Sequence, residues 1–438
     1  MAILDEANIK RCDIFSHFDD LSVSVCGGIS NFKYFESILE NTISATLTIS
    51  DTGYSIKSKK GTGTTGIIDG LDLRGGEKVF MVFVDNYGNE LRFENERCFR
   101  INRIRNIAET TQEMSFIIDL CSSELLFNEL EDRRVVKRYN GEISQSVSKI
   151  LTDVLKTNKS LNLEKTQNQY NFIGEYKKPL DMCTILAKNS IPESKDSFGK
   201  TAGYFFFETY NGFNFKSIDN LFKNNTSYKK YIQNDTTGLP IGYDGKILKS
   251  NKTVNIDVIN KMNIGAYGYR LKYYNPYSQT FTETGGITSN SQNVLAGRNP
   301  YYIGEDLNGF TRIDYKSLDS GNLPTGITAQ ERTSKSNVEN LDIKNVVAQS
   351  TTRYNQLFTI KVDILIYGDF SLRAGDLVHC DFPESSIKRN QDYSAKSSGL
   401  YMIADVCHLI SPLGPSNSLT SLSLIRDSDG RKPINIQL

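Results

Sequence analysis

The chain has 438 residues, which is too many for one hydrophobic core of ordinary size, so we expect two to four domains. Its 51 basic and 51 acidic residues cancel, which argues against a broad face for binding nucleic acid. Seven scattered cysteines and the lack of an apolar leader or a long apolar run predict reduced thiols, synthesis in a cytosol and no membrane-spanning segment.

Residues 1–121 are predicted to form a first small antiparallel β-barrel. After a lead-in of about 20 residues, alternating apolar and polar residues predict strands at 21–29, 32–38, 42–50, 79–85, 91–107 and 113–121. A glycine-rich connection over 51–76 contains a predicted short helix near 65–71. Short strands joined by glycine-containing turns are typical of a small barrel or sandwich.

Residues 122–250 are predicted to form an α+β domain. An apolar stripe predicts a helix over 143–156, and Pro179 suits the first turn of a second helix that ends near Asn189. Asn211-Gly212 lies between two aromatic-rich strands, 204–210 and 213–218. This dipeptide predicts a hairpin with a type I′ turn.

A second barrel is predicted over 251–277 and 344–430, interrupted by a polar insertion at 278–343 and followed by a tail, 431–438. Its opening strand is predicted at 266–274, after a short helix at 254–262. A helix over 345–356 leads into the remaining strands, which end near Arg426.

The two predicted barrels share a short motif, which we call the repeat turn. The first copy consists of Leu73, Arg74, Gly75, Gly76, Glu77 and Val79, and the second of Leu372, Arg373, Ala374, Gly375, Asp376 and Val378. The flanks repeat as well, because four downstream apolar residues match at a constant offset of 302 positions (401 − 99 for the first pair). The fold class that follows is mainly β with α+β insertions, in which an α+β domain separates two similar barrels.

The repeat turn and the strands before it supply the candidate structural residues. A tight turn needs positive φ at one position, which the glycines accept without steric cost. The acidic residue, Glu77 or Asp376, could accept a turn N–H, but we favour a solvated carboxylate. Alternating positions predict a buried core of Ile43, Ala45, Leu47 and Ile49 in the first barrel and of Phe358, Ile360, Val362 and Ile364 in the second.

No motif for catalysis, a cofactor or a metal survives inspection. Residues 61–66 match a dinucleotide fingerprint, but no buried strand precedes them and no long helix follows. His379-Cys380 and Cys407-His408 offer at most two ligands to one ion, since adjacent strand residues point to opposite faces. With three histidines and no nucleophile elbow, we expect a protein that is not an enzyme.

In these features the chain resembles the baseplate (tail) hub proteins of contractile-tailed bacteriophages, which are similar to the N-terminal part of type VI secretion spike proteins. The resemblance rests on the duplicated barrel, the intervening α+β domain with its hairpin, and the interrupted second barrel. It covers most of the chain and concerns architecture more than individual residues.

The resemblance implies a structural role in the virion tail baseplate. It implies a homotrimer whose six similar barrels form a pseudo-sixfold ring, joining the sixfold tail tube to the threefold central spike around a channel for DNA. The implied partners are further copies of the chain, the tail tube protein, the central spike protein and baseplate wedge or other hub proteins, with DNA only in transit.

Two alternatives stay open. A tail-associated carbohydrate- or receptor-binding module would expose an aromatic cluster, for which the candidates are Tyr273, Tyr274, Tyr277, Tyr301 and Tyr302. A tail cell-wall hydrolase would need two carboxylates that only folding brings together. The duplicated barrel favours the hub, because neither alternative needs two similar barrels in one chain.

Overall fold

The structure is a computed structural model, and most of its regular structure is β-strand. It describes residues 7–17, 21–52, 56–57, 63–110, 113–193, 202–223, 228–233, 245–254, 257–275, 279–283, 287–288, 305–307, 309–317, 340, 343–358, 360–383, 397–412 and 417–426. Within these residues no helix has both the length and the apolar character needed to cross a bilayer.

The strands fall into groups along the chain. The first group is β1 (Ala7–Phe15), β2 (Ser22–Ser24), β3 (Ile29–Ser37), β4 (Ser44–Asp51), β5 (Ile56–Lys57), β6 (Thr64–Thr65), β7 (Lys78–Asp85), β8 (Glu90–Phe93), β9 (Phe99–Glu109) and β10 (Met114–Ser122). The middle group is β11 (Arg138–Tyr139), β12 (Leu161–Leu163), β13 (Phe172–Ile173), β14 (Tyr204–Thr209) and β15 (Gly212–Ser217). The last group is β16 (Lys229–Ile232), β17 (Lys249–Val254), β18 (Gly268–Asn275), β19 (Thr280–Glu283), β20 (Ile287–Thr288), β21 (Arg312–Ser317), β22 (Ile360–Tyr367), β23 (Leu377–Asp381), β24 (Gly399–Ile410) and β25 (Ser418–Ile425).

The helices are short apart from the last. They are α1 (Ile67–Leu71), α2 (Ser123–Glu129), α3 (Ile143–Lys149), α4 (Pro179–Lys188), α5 (Ile218–Lys223), α6 (Val258–Ile264) and α7 (Ile343–Leu357). Pro179 occupies the first turn of α4, as predicted, since its ring fixes a helical φ where no N–H bond is required.

A 14-stranded sheet contains two sets of strands paired in the same order. The first set runs β3-β4-β10-β9-β7-β1 and the second runs β17-β22-β25-β24-β23-β16. The two sets also share a bulge, because β9 skips one residue between Ile101 and Arg103 and β24 skips one between Ile403 and Asp405. They differ at one end, where β1 pairs antiparallel with β7 but β16 pairs parallel with β23.

The prediction of a mainly β fold is confirmed, and most of the strands belong to one large, mainly antiparallel sheet. Within the described residues the strand pairings form an open path and close no ring. Closed barrels therefore stay a prediction. The two strand sets form one continuous sheet because β24 of the second set pairs with β3 of the first.

The middle region packs α3 and α4 against the hairpin of β14 and β15. The predicted hairpin is present, but its type I′ turn is wrong. Thr209 pairs with Gly212, so the two loop residues are Tyr210 and Asn211, and neither has positive φ. Gly212 has φ +124°, and a β-carbon at this position would lie 2.2 Å from the backbone oxygen of Ser160, so both the conformation and the space require glycine.

The structure also corrects several predicted boundaries. The lead-in contains β1, which pairs with β7 and β2 along one end of the large sheet. The predicted strand 91–107 is divided into β8 and β9 by a short 3₁₀ helix, Asn95–Arg97. The predicted helix 143–156 is α-helical only to Lys149 and continues as a π-helix, Ile150–Val154.

The opening of the second strand set differs most from its prediction. β18 was predicted as the first strand of the second barrel, but it pairs with β19, β20 and β21 in a separate sheet that α7 covers. The large sheet instead takes β16 and β17, which lie largely in the region predicted as the middle domain. Pairing partners distant in sequence decide this membership, and neither short strand carries a distinctive pattern. The predicted tail lies outside the described residues.

Candidate functional site

The two repeat turns make equivalent backbone hydrogen bonds to β9 and β24, although Gly75 has positive φ and its counterpart Ala374 does not. In the first, the Gly76 N–H donates to the Ile101 carbonyl at 2.6 Å, and the Ile101 N–H donates to the Glu77 carbonyl at 3.0 Å. In the second, the Gly375 N–H donates to the Ile403 carbonyl at 2.8 Å, and the Ile403 N–H donates to the backbone carbonyl of Asp376 at 2.9 Å. Gly75, Gly76 and Gly375 all have positive φ, which explains glycine at these positions.

The acidic residue distinguishes the two turns. Glu77 is fully buried and accepts the N–H groups of Arg74 at 2.7 Å and Gly75 at 3.0 Å. The interpretation of a solvated carboxylate is therefore wrong for Glu77. Asp376 is one methylene shorter and accepts the Arg373 N–H at 3.0 Å. The next N–H of the second turn, that of Ala374, donates instead to Glu36 at 2.9 Å.

The other repeat-turn residues lie beside these hydrogen bonds. Val79 is buried in the core of the first strand set, which Leu73 also contacts, and Leu372 and Val378 are buried in the core of the second. Arg74 is exposed and pairs with Asp72 at 2.7 Å. Arg373 is largely buried instead, with its guanidinium 4.7 Å from the centre of the Tyr210 ring.

The predicted core positions differ between the two sets. Ile43, Ala45, Leu47 and Ile49 are all buried in one cluster. Val362 and Ile364 are buried in the second, while Ile360 packs partly buried against it. Phe358 is not on the predicted strand, because α7 ends at Leu357 and β22 begins at Ile360. It packs against a cluster formed by helices, the hairpin and parts of both strand sets.

The pairing of β3 with β24 joins the two strand sets, and we call it the repeat seam. Residues 405–410 pair antiparallel with residues 37–32. The Ser37 hydroxyl donates to the Asp405 carboxylate at 2.6 Å across the seam. His408 is buried opposite Tyr34, with near-parallel rings and centroids 6.0 Å apart. Burial lowers the pKa of His408 to about 3.

Glu36 binds three parts of the chain together at the seam. Its carboxylate accepts the Tyr34 hydroxyl at 2.7 Å, the Tyr210 N–H at 2.8 Å and the Ala374 N–H at 2.9 Å. Arg373 Nε is 3.8 Å away. Burial raises the pKa of Glu36, while Arg373 and the three donors act in the opposite direction. We call this group the Glu36 clamp, since it joins β3, the hairpin and the second repeat turn.

The hydrophobic cores also interlock across the seam. Phe370 and Ile410 come from the second strand set but are buried in the core of the first. Ile38 follows β3 and is buried with Ala374 and Met402. The Phe370 N–H donates to Asp85 at 2.9 Å, which fixes the segment after β22 to the end of β7.

A second buried polar group ties the first strand set to the middle region. Lys159 pairs with Glu124 and Glu208, each at 2.5 Å, and donates to the Ser122 hydroxyl at 2.8 Å. The second oxygen of Glu208 accepts the Ile43 N–H at 3.2 Å. Burial raises the pKa of Glu208, where two carboxylates share one ammonium group. These contacts join the first strand set to the middle region.

Sequence reasoning missed Glu36 and Tyr210. A signal existed for Glu36, because it continues the buried face of Phe32 and Tyr34 at alternating positions of one strand, where a carboxylate needs partners. Tyr210 carried no such signal, since only folding brings the hairpin loop to the seam.

The described residues give no support to the metal site, the dinucleotide fingerprint or the tyrosine cluster considered from the sequence. These contain no group of three histidine, cysteine or acidic side chains placed to hold a metal ion. Much of the glycine-rich stretch 61–66 lies outside the described residues, as do Tyr277, Tyr301 and Tyr302 of the proposed aromatic cluster. Tyr273 is buried beneath the small sheet and is unavailable to a ligand.

Comparisons by sequence return no match, either to a protein-family model or to a curated protein. Solved structures do match. A 43 kDa tail protein of prophage MuSo2 from Shewanella oneidensis has a TM-score of 0.50 and 8% identity, covering 95% of this chain and 98% of that one. A tail protein from Neisseria meningitidis has a TM-score of 0.52 and 9% identity, covering 95% and 96%. The chain therefore has the fold of these two tail proteins along nearly its whole length.

Proposed function

We propose that the protein is a structural hub of a contractile tail baseplate, in the virion, where it joins the tail tube to the central spike. The proposal is supported by the fold shared with two tail proteins, one of them from a prophage. In this role the protein has no catalytic step, and its activity is to assemble, to bear load and to leave a passage for DNA.

The observation that carries the proposal is the repeat seam between two strand sets of the same order. Two similar units joined side by side form one third of a ring of six. Three copies of the chain would then present sixfold-like symmetry to a tube and threefold symmetry to a spike. We accordingly propose that each strand set closes into a small barrel in the assembled trimer.

The proposed domains follow the observed pairings. The first barrel keeps its predicted range of 1–121, and the second comprises 229–254 together with 360–426. The α+β domain then ends before β16, and the small sheet of β18 to β21 belongs to the insertion. This division assigns each strand of the large sheet to the set with which it pairs.

The mass of the purified chain in solution tests the proposal. Sedimentation should give the mass of three chains, and electron-microscopy class averages should show a ring with an open centre and nearly sixfold appearance. A chain that stays monomeric across the accessible concentration range would contradict the hub. A two-chain or four-chain assembly would contradict it too, because neither adapts threefold to sixfold symmetry.

A second candidate role is sugar binding on the small sheet. Phe281 and Tyr315 are each 64% exposed, their ring centroids are 6.2 Å apart, and Tyr274 lies 5.2 Å from Phe281. Exposed aromatic faces of this kind can stack on sugar rings. Binding of the parent to a glycan array, lost in Tyr315→Ala, would support this role, and an array without signal would exclude it.

A further inference from the structure

Several strand edges of the large sheet have no partner strand within the described part of the chain, and two of them have equivalents that are paired in the repeat seam. β9 pairs with β7 only at Phe99 and Arg100, and beyond Ile101 it pairs with β10 alone. β17 pairs with β22 alone. In the other strand set, the equivalents of these two edges, on β24 and β3, form the repeat seam.

The positions of the two strand sets can be matched through their registers. Ile101 and Ile403 make the same hydrogen bonds to the repeat turns. Leu120 lies opposite Ile101 and Leu424 opposite Ile403, which makes these two leucines equivalent.

Following the cross-strand partners further extends the match to the edge strands β3 and β17. Ala45 lies opposite Leu120 and Val362 opposite Leu424. Tyr34 lies opposite Ala45 and Lys252 opposite Val362, so Tyr34 and Lys252 are equivalent. Counting along β3 and β17 gives two further equivalent pairs, Glu36 with Val254 and Lys33 with Asn251.

This match shows two differences between the strand sets. One is at the position of Glu36 on the edge strand, and the other is at the acidic residue of the repeat turn. The second repeat turn carries the shorter Asp376, and Glu36 of β3 accepts the N–H of Ala374. The first repeat turn satisfies its own N–H groups through Glu77. The position equivalent to Glu36 is Val254, a residue type without a hydrogen-bond acceptor.

The two differences compensate each other. A β17 edge beside a first repeat turn would leave no buried N–H without an acceptor, because Glu77 already binds both groups. Beside a second repeat turn it would leave the Ala374 N–H unsatisfied, which is costly in a buried site. β17 is therefore suited to the β9 edge of a first strand set. Within one chain, β17 and β9 lie on opposite sides of the repeat seam in the path of paired strands, so we place this contact between two copies.

We propose that β17 of one copy pairs with residues 104–109 of β9 in the next copy, without the Glu36 clamp. The register is that of the repeat seam, except at one extra residue that β9 carries between Arg105 and Ala108. The inference rests on the proposed trimer and names the surfaces that form it. Such a head-to-tail contact closes into a ring when the rotation per step allows it. The ring would contain three seams within chains, each with a Glu36 clamp, alternating with three seams between chains that lack it. The ring would assemble and open at the seams between chains.

A disulfide at the proposed contact tests the pairing. β9 carries one extra residue between Arg105 and Ala108 that β24 lacks, so the offset of 302 falls to 301 beyond it. Ala108 lies opposite Ser115, as Leu409 lies opposite Leu419, so Ala108 is equivalent to Leu409, the partner of Lys33. Ala108 should then face Asn251 of the next copy, and both residues are exposed in the single chain. Neighbouring antiparallel residues are roughly 4.5–5.5 Å apart at Cα, which suits a disulfide.

The expected result is a ladder of linked dimers and trimers from Ala108→Cys/Asn251→Cys on a non-reducing gel. An equimolar mixture of the two single variants should give linked dimers only, since each copy then offers one half of one contact. The parent and each single variant alone control for the seven native cysteines.

The failures of the two proposals are distinguishable. A trimeric mass for the double variant without linked species would contradict the pairing and leave the hub intact. A monomeric mass without linked species would contradict the ring and the pairing together.

A glutamate introduced into β17 tests whether the hydrogen bonds of the repeat turn explain the difference between the seam within a chain and the proposed seam between chains. Glu77→Asp should free the Gly75 N–H and weaken trimer association about tenfold, the equivalent of one unsatisfied buried group. Adding Val254→Glu should restore at least that factor by rebuilding the clamp between chains. Sedimentation equilibrium measures the trimer dissociation constant of each variant. A double variant that associates no more tightly than Glu77→Asp alone would overturn this account.

Discussion

At the residue scale, Glu36 organises the seam because one buried carboxylate accepts donors from β3, the hairpin and the second repeat turn. Removing it would leave the N–H groups of Tyr210 and Ala374 without their acceptor and Arg373 without its nearby carboxylate. An abandoned buried polar group costs about 1–3 kcal/mol, and breaking a buried ion pair about 3–5 kcal/mol.

We therefore expect Glu36→Ala to lower the free energy of unfolding by about 3–5 kcal/mol, measured by chemical denaturation. Glu40→Ala is the matched control, because Glu40 is exposed and lies four residues further on. Equal stabilities for the two variants would show that the clamp contributes nothing.

The buried strand positions give a second prediction at this scale. Leu47→Asp and Val362→Asp each place a charge in a closed apolar cluster, at positions 0% and 1% exposed. Each should cost several kcal/mol, on the order of a buried unpaired charge after relaxation. Ser421→Asp, at an exposed position of β25, should cost little. Thermal unfolding compares the three, and buried variants as stable as the control would refute the assignment of these core positions.

At the element scale, the seam should respond to pH through His408. Its pKa is lowered to about 3 in the folded chain, against a value near 6.5 when unfolded. Between these values the unfolded chain binds a proton that the folded chain does not. His408 therefore favours folding fully above about pH 6.5, and this contribution is lost as the pH falls towards 3.

The expected loss is about 2 kcal/mol between pH 6.5 and pH 5. Glu36 acts in the opposite direction, because its raised pKa favours folding at low pH, so the test is the difference between two profiles. Denaturation of the parent and of His408→Gln from pH 7 to pH 5 should show a shallower loss in the variant. Identical slopes for the parent and the variant would contradict the prediction.

The hairpin gives a further prediction at this scale. Gly212 has φ +124°, and a β-carbon there would lie 2.2 Å from the Ser160 carbonyl oxygen. Gly88 has φ +83° with open space around it, so it offers a matched control. Gly88→Ala should cost about 1–2 kcal/mol of backbone strain, and Gly212→Ala clearly more because of the clash. Equal losses in thermal unfolding would mean that the hairpin does not approach Ser160 as described.

Elements defined by local pattern were predictable from the sequence. The repeat turns, the hairpin strands and α4 each carry their cause within a few residues: a glycine that accepts positive φ, an alternation of side chains, a proline at the start of a helix. Placement in the sheet was not predictable for β16, β17 and β18. It depends on partners far along the chain, and a four-residue strand such as β16 offers no pattern that selects them.

At the scale of the whole molecule, the duplicated turn led to the paired strand sets, but the seam between them could not be foreseen. Its residues carry signals only in combination, as with Glu36 on β3 and the Ala374 N–H, which are 338 positions apart in sequence. The interlocked cores have the same origin, because Phe370 leaves its own strand set to pack in the other.

The repeat seam gives the proposed ring its repeating unit. Each chain contributes one contact between strand sets. It also has two edges, on β9 and β17, that find no partner strand among the described residues and that match the strands of that contact. A single chain is then a fixed third of the ring, and assembly repeats a contact that the fold has already made once.

The mass of the purified protein in solution, taken with electron-microscopy class averages of the same sample, tests this account most directly. The account predicts the mass of three chains and rings with an open centre and six similar lobes. The mass of one chain at every concentration, with compact particles that show no ring, would contradict it.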